Sequence, residues 1–409
     1  MLRVISISEA TKEIQERFDH WHTEAETVSL TEAFGRILAQ DIVCGEDIPG
    51  FDRSTMDGYA VRAADTFGAS ETMPAMLGFT QEVIMGQSPD FVVEKGQCAY
   101  VPTGGELPQG CDAVVMMEYV ADYGDGYQYA QMPVAPGTNV IFRGDDIKKE
   151  QTVLQKGAKI RPQEIGTLAA MGIGQVPVYR RLKVGILSTG DELVDVDKPQ
   201  SGAVVRDVNT YAIAAGLTAI GALPVCYGIV RDDYAALSPA LQKALKECDA
   251  VIISGGSSVG TADITHRIID EAGRPGVFIH GLAVKPGKPT IVGNVEGKIV
   301  FGLPGHPVSA YVIYRILAAP IFSAMMGQRV ESLFGVSAAM GRNVPSNHGR
   351  EEYIPVQLLR ADNETLPTAM PVANKSGLIS TLCQADGFVC IPRDREGLSK
   401  GDAVTALLF

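Results

Sequence analysis

The spacing of hydrophobic and polar positions changes several times along the chain, and each change predicts a different kind of structure. The first forty residues contain two capping-box patterns, Ser6-x-x-Glu9 and Ser29-x-x-Glu32, each followed by apolar residues at helical spacing. From about Pro49 to Ile147 the chain carries short apolar runs separated by glycine-containing turns, which is typical of strands. We therefore expect a helical start and then a β-rich region.

Between residues 155 and 180 the pattern predicts a strand, a helix that begins at Arg161-Pro162 and ends at Gly172, and a second strand. We expect this segment to pack against the N-terminal helices, which would make that domain discontinuous. From Leu182 onward, strand and helix patterns alternate. This alternation predicts an α/β unit with a mostly parallel or mixed sheet. Its predicted strands are 182–187, 224–230, 250–254, 277–284 and a stretch near 290–301, and its predicted helices are 209–219, one ending at Glu247, 263–271 and one from Pro307.

These changes divide the chain into four predicted regions and give a multidomain α/β protein. A discontinuous helical (α+β) domain comprises 1–48 and 147–180, and a β-rich domain comprises 49–146. The α/β domain is 181–327. Residues 328–409 lose the helical periodicity and predict a C-terminal β module.

Composition narrows the protein class without changing this picture. The chain has 409 residues and a net charge of −13, and such an acidic surface disfavours nucleic acid and anionic lipid as partners. No apolar segment follows the N-terminus, and the longest apolar stretch, 307–326, is interrupted by Arg315 and Pro320. We expect a soluble cytoplasmic protein with no membrane association. The seven dispersed cysteines suggest reduced thiols.

Three loops of the α/β region share one pattern, in which an apolar strand is followed by a glycine-containing turn and a helix. In open α/β sheets such loops lie at the carboxyl ends of the strands, where ligands bind and helix-start N–H groups attract anions. The three together predict an anion pocket, although each alone could be an ordinary tight connection. The loops are Ser188-Thr189-Gly190-Asp191-Glu192, Ser254-Gly255-Gly256-Ser257-Ser258-Val259-Gly260 and Leu303-Pro304-Gly305-His306-Pro307-Val308-Ser309.

Carboxylates occur in or near these loops, at Asp191, Glu192, Asp207, Asp232, Asp233 and Asp263. A phosphate beside several carboxylates is unfavourable unless a hard cation lies between them, and Mg²⁺ uses one or two carboxylates together with ligand phosphates. The pattern predicts a Mg²⁺-assisted phosphate site. Helix capping by Asp263 and a solvated turn at Asp232-Asp233 are the alternatives.

Other polar segments are less specific. Lys285 and Lys288 lie on a loop stiffened by proline and glycine, so they are candidate anion ligands, although a solvated turn would show the same residues. In the β-rich region, polar turns occur at 51–60, 102–105 and 143–146, and composition alone assigns them no function. The chain contains no phosphate-binding G-x-x-x-x-G-K-[ST] motif and no dinucleotide-binding G-x-G-x-x-G motif.

The motifs of this chain resemble those of the molybdopterin molybdenumtransferase family, which comprises the MoeA proteins and the E domain of gephyrin. They occur in the same order as in that family, along nearly the whole chain. The segments that carry the resemblance are F-D-R-S-T-M-D-G-Y-A-V (51–61), P-T-G-G-E-L-P-Q-G-C-D-A-V-V-M (102–116), R-G-D-D-I (143–147), S-T-G-D-E-L (188–193), I-S-G-G-S-S-V-G-T-A-D (253–263), V-K-P-G-K-P (284–289) and G-L-P-G-H-P-V-S-A (302–310).

The resemblance implies a homodimer of four-domain subunits, with a molybdopterin-binding α/β domain and a C-terminal β-barrel-like domain. It implies Mg²⁺-dependent insertion of molybdate into adenylylated molybdopterin, with release of AMP. It also implies docking with the upstream molybdopterin adenylyltransferase and with molybdoenzyme chaperones. A pterin-binding carrier without turnover, or an adenylyltransferase, are the alternatives.

Roles for individual residues follow from the resemblance alone. Glu192, Asp232 and Asp263 are implied to bind the metal, and Lys285 and Lys288 to act on the anionic substrate. The facing subunit is implied to contribute catalytic residues Asp57, Thr103 and Asp146. The residues implied to bind substrate are Ser188, Thr189, Gly190, Ser254, Gly255, Gly256, Ser257, Pro304, Gly305, His306, Pro307 and Ser309.

One position departs from the family pattern, because His306 stands where the family commonly has asparagine. An imidazole titrates near neutral pH and an amide does not, so oxoanion affinity could depend on pH and the preference for molybdate over tungstate is open.

Overall fold

The computed structural model describes residues 4–19, 21–199, 202–255, 259–328, 334–360, 365–372 and 379–409, with the backbone only for 259–263. The N-terminal segment begins with the predicted helix. Ser6 Oγ accepts a hydrogen bond from the Glu9 N–H at 3.2 Å, and Glu9 Oε2 accepts one from the Ser6 N–H at 2.8 Å, which confirms the first capping box. The elements of this segment are α1 (Ile7–Phe18), β1 (Ala25–Ser29) and β2 (Ile42–Val43).

The second capping-box prediction was wrong, because Ser29-x-x-Glu32 leads only into a 3₁₀ turn, Leu30–Glu32. The Ser29 hydroxyl donates to Glu32 Oε2 at 2.8 Å and makes no side-chain cap to the turn. The apolar residues that follow pair with extended backbone instead: Ile37 bridges Lys159 and Leu38 bridges Val178. Tertiary strand pairing thus overrides the local helical spacing.

The next region is a six-stranded sheet, as the short apolar runs predict. Its strand order is β7-β4-β6-β5-β9-β8, and a separate short ladder joins β3 and β10. The bounds are β3 (Arg53–Ser54), β4 (Gly58–Val61), β5 (Ala75–Glu82), β6 (Gln97–Val101), β7 (Ala113–Met116), β8 (Val120–Asp122), β9 (Tyr127–Ala130) and β10 (Val140–Ile141).

The chain then returns to the N-terminal strands through β11 (Thr152–Leu154), α2 (Pro162–Ala170) and β12 (Gln175–Tyr179). Strand β12 pairs with β1, and β11 pairs with β2, around a shared apolar core. Helix α1 lies elsewhere, because its buried side chains join the core of the α/β unit that follows. Those side chains are Ile7, Ala10, Ile14 and Phe18.

The α/β unit has a mixed six-stranded sheet of order β16-β13-β17-β21-β20-β18, as predicted. Strands β16, β13, β17 and β21 are parallel, and β20 and β18 run antiparallel at one edge. The elements are β13 (Lys183–Thr189), β14 (Leu193–Val194), β15 (Val205–Arg206), α3 (Asn209–Ala219), β16 (Leu223–Val230), α4 (Tyr234–Glu247), β17 (Ala250–Gly255), α5 (Val259–Ala272), β18 (Pro275–His280), β19 (Val284–Lys285), β20 (Ile291–Val295) and β21 (Lys298–Leu303).

The predicted strand 277–284 was wrong in one respect, because the structure divides it into β18 and β19. The backbone between them turns at Gly281, which has a φ of 101°. Strand β18 stays in the α/β sheet, whereas β19 pairs with a strand of the C-terminal sheet.

A continuous helical segment then runs from Pro307 to Met325. It consists of α6 (Pro307–Ile313), a π-helical turn (Tyr314–Ala318) and α7 (Ala319–Met325). By length and composition alone this segment could cross a membrane, but 72% of it is buried inside the protein. Its side chains share one apolar core with α1, α3 and the sheet. It is therefore placed as the central core helix of the α/β unit.

The C-terminal region forms a closed β-barrel, which confirms the predicted β-barrel-like module. Strands β24, β25, β22, β28 and β26 follow one another, and a further β24–β26 pairing closes the ring. Strand β19 is added at the outer side of β24. The elements are β22 (Gly335–Met340), β23 (Val344–Pro345), β24 (Glu351–Leu359), β25 (Thr368–Pro371), α8 (Ser380–Gln384), β26 (Gly387–Ile391), β27 (Gly397–Leu398) and β28 (Ala403–Leu408).

Candidate active site at the carboxyl edge of the α/β sheet

The structure brings the three predicted loops to one edge of the sheet. Ser188 at the end of β13 pairs in register with Ser254 of β17, and Ser254 pairs with Leu303 of β21. Because these strands are parallel, the loops that follow them emerge side by side. We call this surface, formed by residues 188–192, 254–255 and 304–307, the carboxyl edge. Gly256 and Ser257 lie outside the described residues.

Gly255 shows why the sequence needs glycine at this edge. Its φ is 140°, and a Cβ at this position would lie 2.0 Å from the Thr189 carbonyl oxygen. Any side chain would therefore push β13 and β17 apart. The close approach keeps the first two loops in contact.

A buried asparagine, Asn209, connects the second and third loops. Its Nδ2 donates to Ser254 Oγ at 2.9 Å and to the Gly305 carbonyl oxygen at 2.8 Å, and the residue is only 8% exposed. The sequence analysis did not select this residue. The signal that could have found it is a polar side chain at the first position of a predicted helix that follows a strand of this sheet.

The first loop is also fixed by buried hydroxyl groups. Ser188 Oγ and Thr210 Oγ1 lie 2.8 Å apart in a hydrogen bond, and both residues are buried. The Thr210 N–H donates to Asp207 Oδ1 at 3.1 Å. Ser188 therefore serves the scaffold of the edge in this structure, since its hydroxyl is already bonded inside the protein.

Carboxylates lie in the first loop and directly beside it. Thr189 Oγ1 donates to Asp232 Oδ1 at 3.2 Å, and the Asp232 N–H donates to Asp191 Oδ1 at 3.4 Å. Burial is the main cause that raises the pKa of Asp232, and the nearby negative charges of Asp191, Glu192 and Asp233 raise it further, against the lowering effect of the Thr189 hydroxyl. The local potential is therefore negative and favours a cation.

These donors suit Mg²⁺ in chemical type, since all are carboxylate or hydroxyl oxygens. Among the side chains that the structure describes, no three His, Cys, Asp or Glu groups are close enough to hold an ion by themselves. The Asp263 side chain lies outside that description. The described side chains therefore supply too few ligands for a magnesium ion by themselves, and this cation commonly takes ligand phosphates as well.

The third loop presents residues of contrasting exposure. Pro304 is buried, Gly305 and Pro307 are half-buried, and His306 is exposed at the start of α6. Ser309 is 5% exposed within that helix, so it faces the interior. The first four of these residues can border a ligand, and Ser309 supports the helix.

The two candidate lysines differ in their surroundings. The Nζ of Lys285 in β19 lies 2.6 Å from Oε1 of Glu352, a residue of the C-terminal barrel that the sequence analysis did not select. Lys288 is exposed and forms no ion pair within the described ranges. The loop that carries both lysines leads into β20, whose first residue, Ile291, pairs with Gly302 directly before the third loop.

In the β-rich region the structure brings Asp57 and Thr103 together. Asp57 Oδ1 accepts hydrogen bonds from the Thr103 N–H at 2.7 Å and from Thr103 Oγ1 at 2.8 Å. The backbone bond, followed by the hydroxyl bond, lowers the pKa of Asp57, so this carboxylate is ionised well below neutral pH. Asp146 is exposed. It follows β10 in the chain whereas Asp57 follows β3, and because these two strands are antiparallel the chain leaves them at opposite ends of the ladder.

Within the described part of the chain, no hydrogen bond or ion pair joins this Asp57 and Thr103 pair, or Asp146, to the carboxyl edge. The chain by itself therefore shows two separate polar groups rather than a single assembled site.

Comparisons with known proteins agree with this architecture. Three family models match successive parts of the chain: "MoeA N-terminal region (domain I and II)" over residues 5–172, "Probable molybdopterin binding domain" over 185–324 and "MoeA C-terminal region (domain IV)" over 337–409. The second of these models covers the whole carboxyl edge.

Relatives of similar length match almost end to end. The chain is 33% identical to a molybdopterin molybdenumtransferase of Haemophilus influenzae, covering 94% of this chain and 93% of the relative. It is 33% identical to one of Nostoc, covering 94% and 88%. The crystal structure of a molybdopterin biosynthesis MoeA protein from Pyrococcus horikoshii OT3 superposes with a TM-score of 0.85 at 33% identity, over the full length of both chains. The chain belongs to the MoeA family of molybdopterin molybdenumtransferases.

Proposed function

We propose that this protein inserts molybdate into adenylylated molybdopterin and releases AMP, a step in the biosynthesis of the molybdenum cofactor. The observation that carries this proposal is the carboxyl edge, where the loops that follow three parallel strands meet within the region that matches the molybdopterin-binding model. The alternatives of a passive carrier and of an adenylyltransferase are not favoured, because full-length relatives are named as molybdenumtransferases.

The carboxyl edge supplies the binding chemistry for two anionic substrates. Helix starts at α5 and α6 lie at this edge and attract negative groups. The loop that carries Lys285 and Lys288 enters β20 beside the strand that leads into the third loop, so the two lysines would add positive charge near that loop. The site would hold the pterin phosphates and the tetrahedral oxoanion close together. The bimolecular reaction then becomes effectively unimolecular, which lowers its barrier without a covalent enzyme intermediate.

Mg²⁺ is part of the proposal. Asp232 and Glu192, with Asp263 as the third predicted ligand, would hold the ion beside the phosphoanhydride. When bound, it neutralises charge that develops on the bridging phosphate oxygens. Asp232 supports this role, because its raised pKa reflects burial and negative neighbours that a cation would offset.

A complete site would be shared by two subunits. Asp57, Thr103 and Asp146 would then come from the β-rich region of the partner subunit, as the family resemblance implies. Two features support this arrangement: these residues are exposed, and the same region carries exposed apolar side chains that a second subunit could cover. Those side chains include Phe67 at 64%, Met73 at 69% and Ile84 at 61% exposure.

The activity is tested by mixing the purified chain with adenylylated molybdopterin, molybdate and Mg²⁺ and measuring AMP by chromatography. We expect AMP release that requires all three additions. Pterin binding without AMP release would indicate a carrier, and ATP consumption with free molybdopterin would indicate an adenylyltransferase. Either result would overturn the proposal.

Shared sites are tested by complementation. Asp57→Asn and Asp232→Asn change opposite halves of the proposed site, so a mixed dimer of the two variants retains one intact site and one doubly altered site. We expect each variant alone to release AMP much more slowly than the unaltered protein, and the mixture to recover activity after subunit exchange. Light scattering gives the oligomeric state, and a monomer that is fully active contradicts the arrangement.

Docking with the adenylyltransferase and with chaperones, and the cytoplasmic location, stay predictions of the sequence.

A further inference from the structure

The loop with the two candidate lysines physically connects two parts of the molecule. At its start, β19 lies parallel to β24 of the C-terminal barrel, with Lys285 opposite Glu352 in the register, and the Glu351 N–H donates to the Ala283 carbonyl oxygen at 3.0 Å. At its end, the loop enters β20 beside the strand that leads into the third loop of the carboxyl edge. A residue of the barrel can therefore act on the edge through this loop.

Glu352 is a buried carboxylate with both oxygens engaged. The residue is 1% exposed; its Oε1 lies 2.6 Å from Lys285 Nζ, and its Oε2 accepts from Ser346 Oγ at 2.7 Å. A buried charge is tolerated when it is paired and hydrogen-bonded in this way. The arrangement therefore fixes the carboxylate firmly in the barrel.

The lysine partner is only half enclosed. Its side chain is 43% exposed, against 2% for that of Glu352. An ammonium group has three N–H donors, and within the described ranges Glu352 is the acceptor that the structure gives to Lys285. The pair thus presents an ammonium with unused donors toward solvent while hiding the carboxylate.

The backbone between the two lysines is also held. Gly287 has a φ of 116°, and a Cβ there would lie 2.4 Å from Ile313 of α6, so the loop packs directly on the helix that follows the third loop. The Thr290 hydroxyl donates to the Gly287 carbonyl oxygen at 2.6 Å, and the Leu282 N–H donates to the Lys288 carbonyl oxygen at 2.9 Å. Lys285 is consequently fixed at both its backbone and its ammonium group, whereas the Lys288 side chain is exposed.

We infer that Glu352 is a positioning residue for substrate binding: from the C-terminal barrel it holds the Lys285 ammonium ready to receive an anionic group of the substrate at the carboxyl edge. This inference rests on the proposed function, since it requires Lys285 to meet the substrate. The physical reason is preorganisation, because an ammonium that is already fixed loses less conformational freedom on binding than a mobile lysine.

The test is a double-mutant cycle on AMP release with Glu352→Gln, which keeps the shape of the side chain. The amide keeps an acceptor oxygen but removes the negative charge that attracts the ammonium, so we expect Lys285 to be held less firmly and KM for adenylylated molybdopterin to rise about tenfold with little change in kcat. In the Lys285→Met background the same change should leave KM unaltered, because the positioned group is gone. In the Lys288→Met background, the matched control, the tenfold effect should persist.

The other outcomes overturn the inference. If Glu352→Gln lowers Tm and leaves KM unchanged, the ion pair only joins the barrel to the loop. If KM falls, the carboxylate weakens anion binding by its charge and positions nothing. Ser346→Ala, which frees one oxygen of Glu352, provides a second variant and should raise KM in the same direction. Absence of AMP release by the unaltered protein would instead contradict the proposed function itself.

Discussion

The carboxyl edge of the α/β sheet and the Asp57–Thr103 pair of the β-rich region were both selected from sequence motifs, yet they are built differently. At the carboxyl edge, Asn209 and Ser188 are buried; Asn209 is bonded to two neighbouring loops, and Ser188 is bonded to Thr210 of α3. In the β-rich region, Asp57 and Thr103 are exposed and bonded to each other. The comparison indicates that the carboxyl edge is already ordered within one chain, whereas the Asp57–Thr103 pair is a local polar pair that would need another surface to become part of a site.

Gly255→Ala should have the largest effect on the carboxyl edge, because the new Cβ would lie 2.0 Å from the Thr189 carbonyl oxygen. Two central strands would have to separate, and we expect a loss of about 3 kcal/mol or more in the free energy of unfolding. Thermal unfolding measures it. Gly297→Ala is the control, since its φ is also positive but nothing lies within 4 Å of the added Cβ. Equal melting of the two variants would contradict the preformed edge.

Asn209→Ala should have the next largest effect. The variant loses both Nδ2 hydrogen bonds and leaves Ser254 Oγ and the Gly305 carbonyl without that donor, which we expect to cost about 2–3 kcal/mol. Urea unfolding gives the difference. Asn294→Ala is the matched control, because Asn294 accepts one exposed hydrogen bond from the Gly297 N–H at 2.9 Å. If both alanine variants unfold at the same urea concentration, Asn209 does not bind the loops together.

Asp232→Asn tests the electrostatic role of the carboxyl edge. We expect AMP release to fall about 10- to 100-fold and the Mg²⁺ concentration for half-maximal rate to rise, because a proposed ligand of the metal is lost. Titration of activity with MgCl₂ measures both. An unchanged Mg²⁺ requirement would place the ion elsewhere.

The same substitution has a pH signature without metal. A carboxyl group whose pKa is raised by folding destabilises the folded state above that pKa, and the cost disappears as the pH falls below the unfolded value. Metal-free Asp232→Asn should therefore be at least as stable as the unaltered protein near pH 7, and the difference should vanish in acid. A variant that is less stable at pH 7 and equal in acid would contradict the cause assigned to this pKa.

Thr103→Val should have the smallest effect, because the pair is exposed. The valine removes the hydroxyl donor and retains the backbone N–H, so the pKa of Asp57 should rise part of the way to its ordinary value. A lowered carboxyl pKa stabilises the fold above the unfolded value, and this contribution is lost as the pH falls through the lowered pKa. Carboxyl NMR titration of Asp57 gives the result, with Thr103→Ser as the control that keeps the hydroxyl. A pKa of Asp57 that is the same in both variants would show that the hydroxyl is not a cause.

Sequence reasoning located the carboxyl edge because strand alternation and loop chemistry are local signals. The apolar runs of β13 and β17 and their glycine-containing ends can be read from adjacent positions. The same local rules failed at Ser29-x-x-Glu32, where Leu38 pairs with Val178, far away along the chain.

Two contributors to the site were missed for a related reason. Glu352 lies in an unremarkable strand, and only the register of β24 against β19 brings it to Lys285. Asn209 gains its importance from two acceptors that come from different loops. Contacts between residues that lie far apart in the sequence leave no pattern in residue spacing, so only the structure reveals them.

Helix α1 completes a hydrophobic core whose other members are translated much later. Ile14 and Phe18 are buried with Leu317, Ile321 and Phe322, about three hundred residues further along the chain. Joining such distant segments carries a loop-closure cost and slows folding. During synthesis the apolar face of this helix therefore stays exposed to solvent until the α/β unit has emerged from the ribosome. Deletion of the first eighteen residues should lower the stability of that unit more than that of the neighbouring β1–β12 sheet.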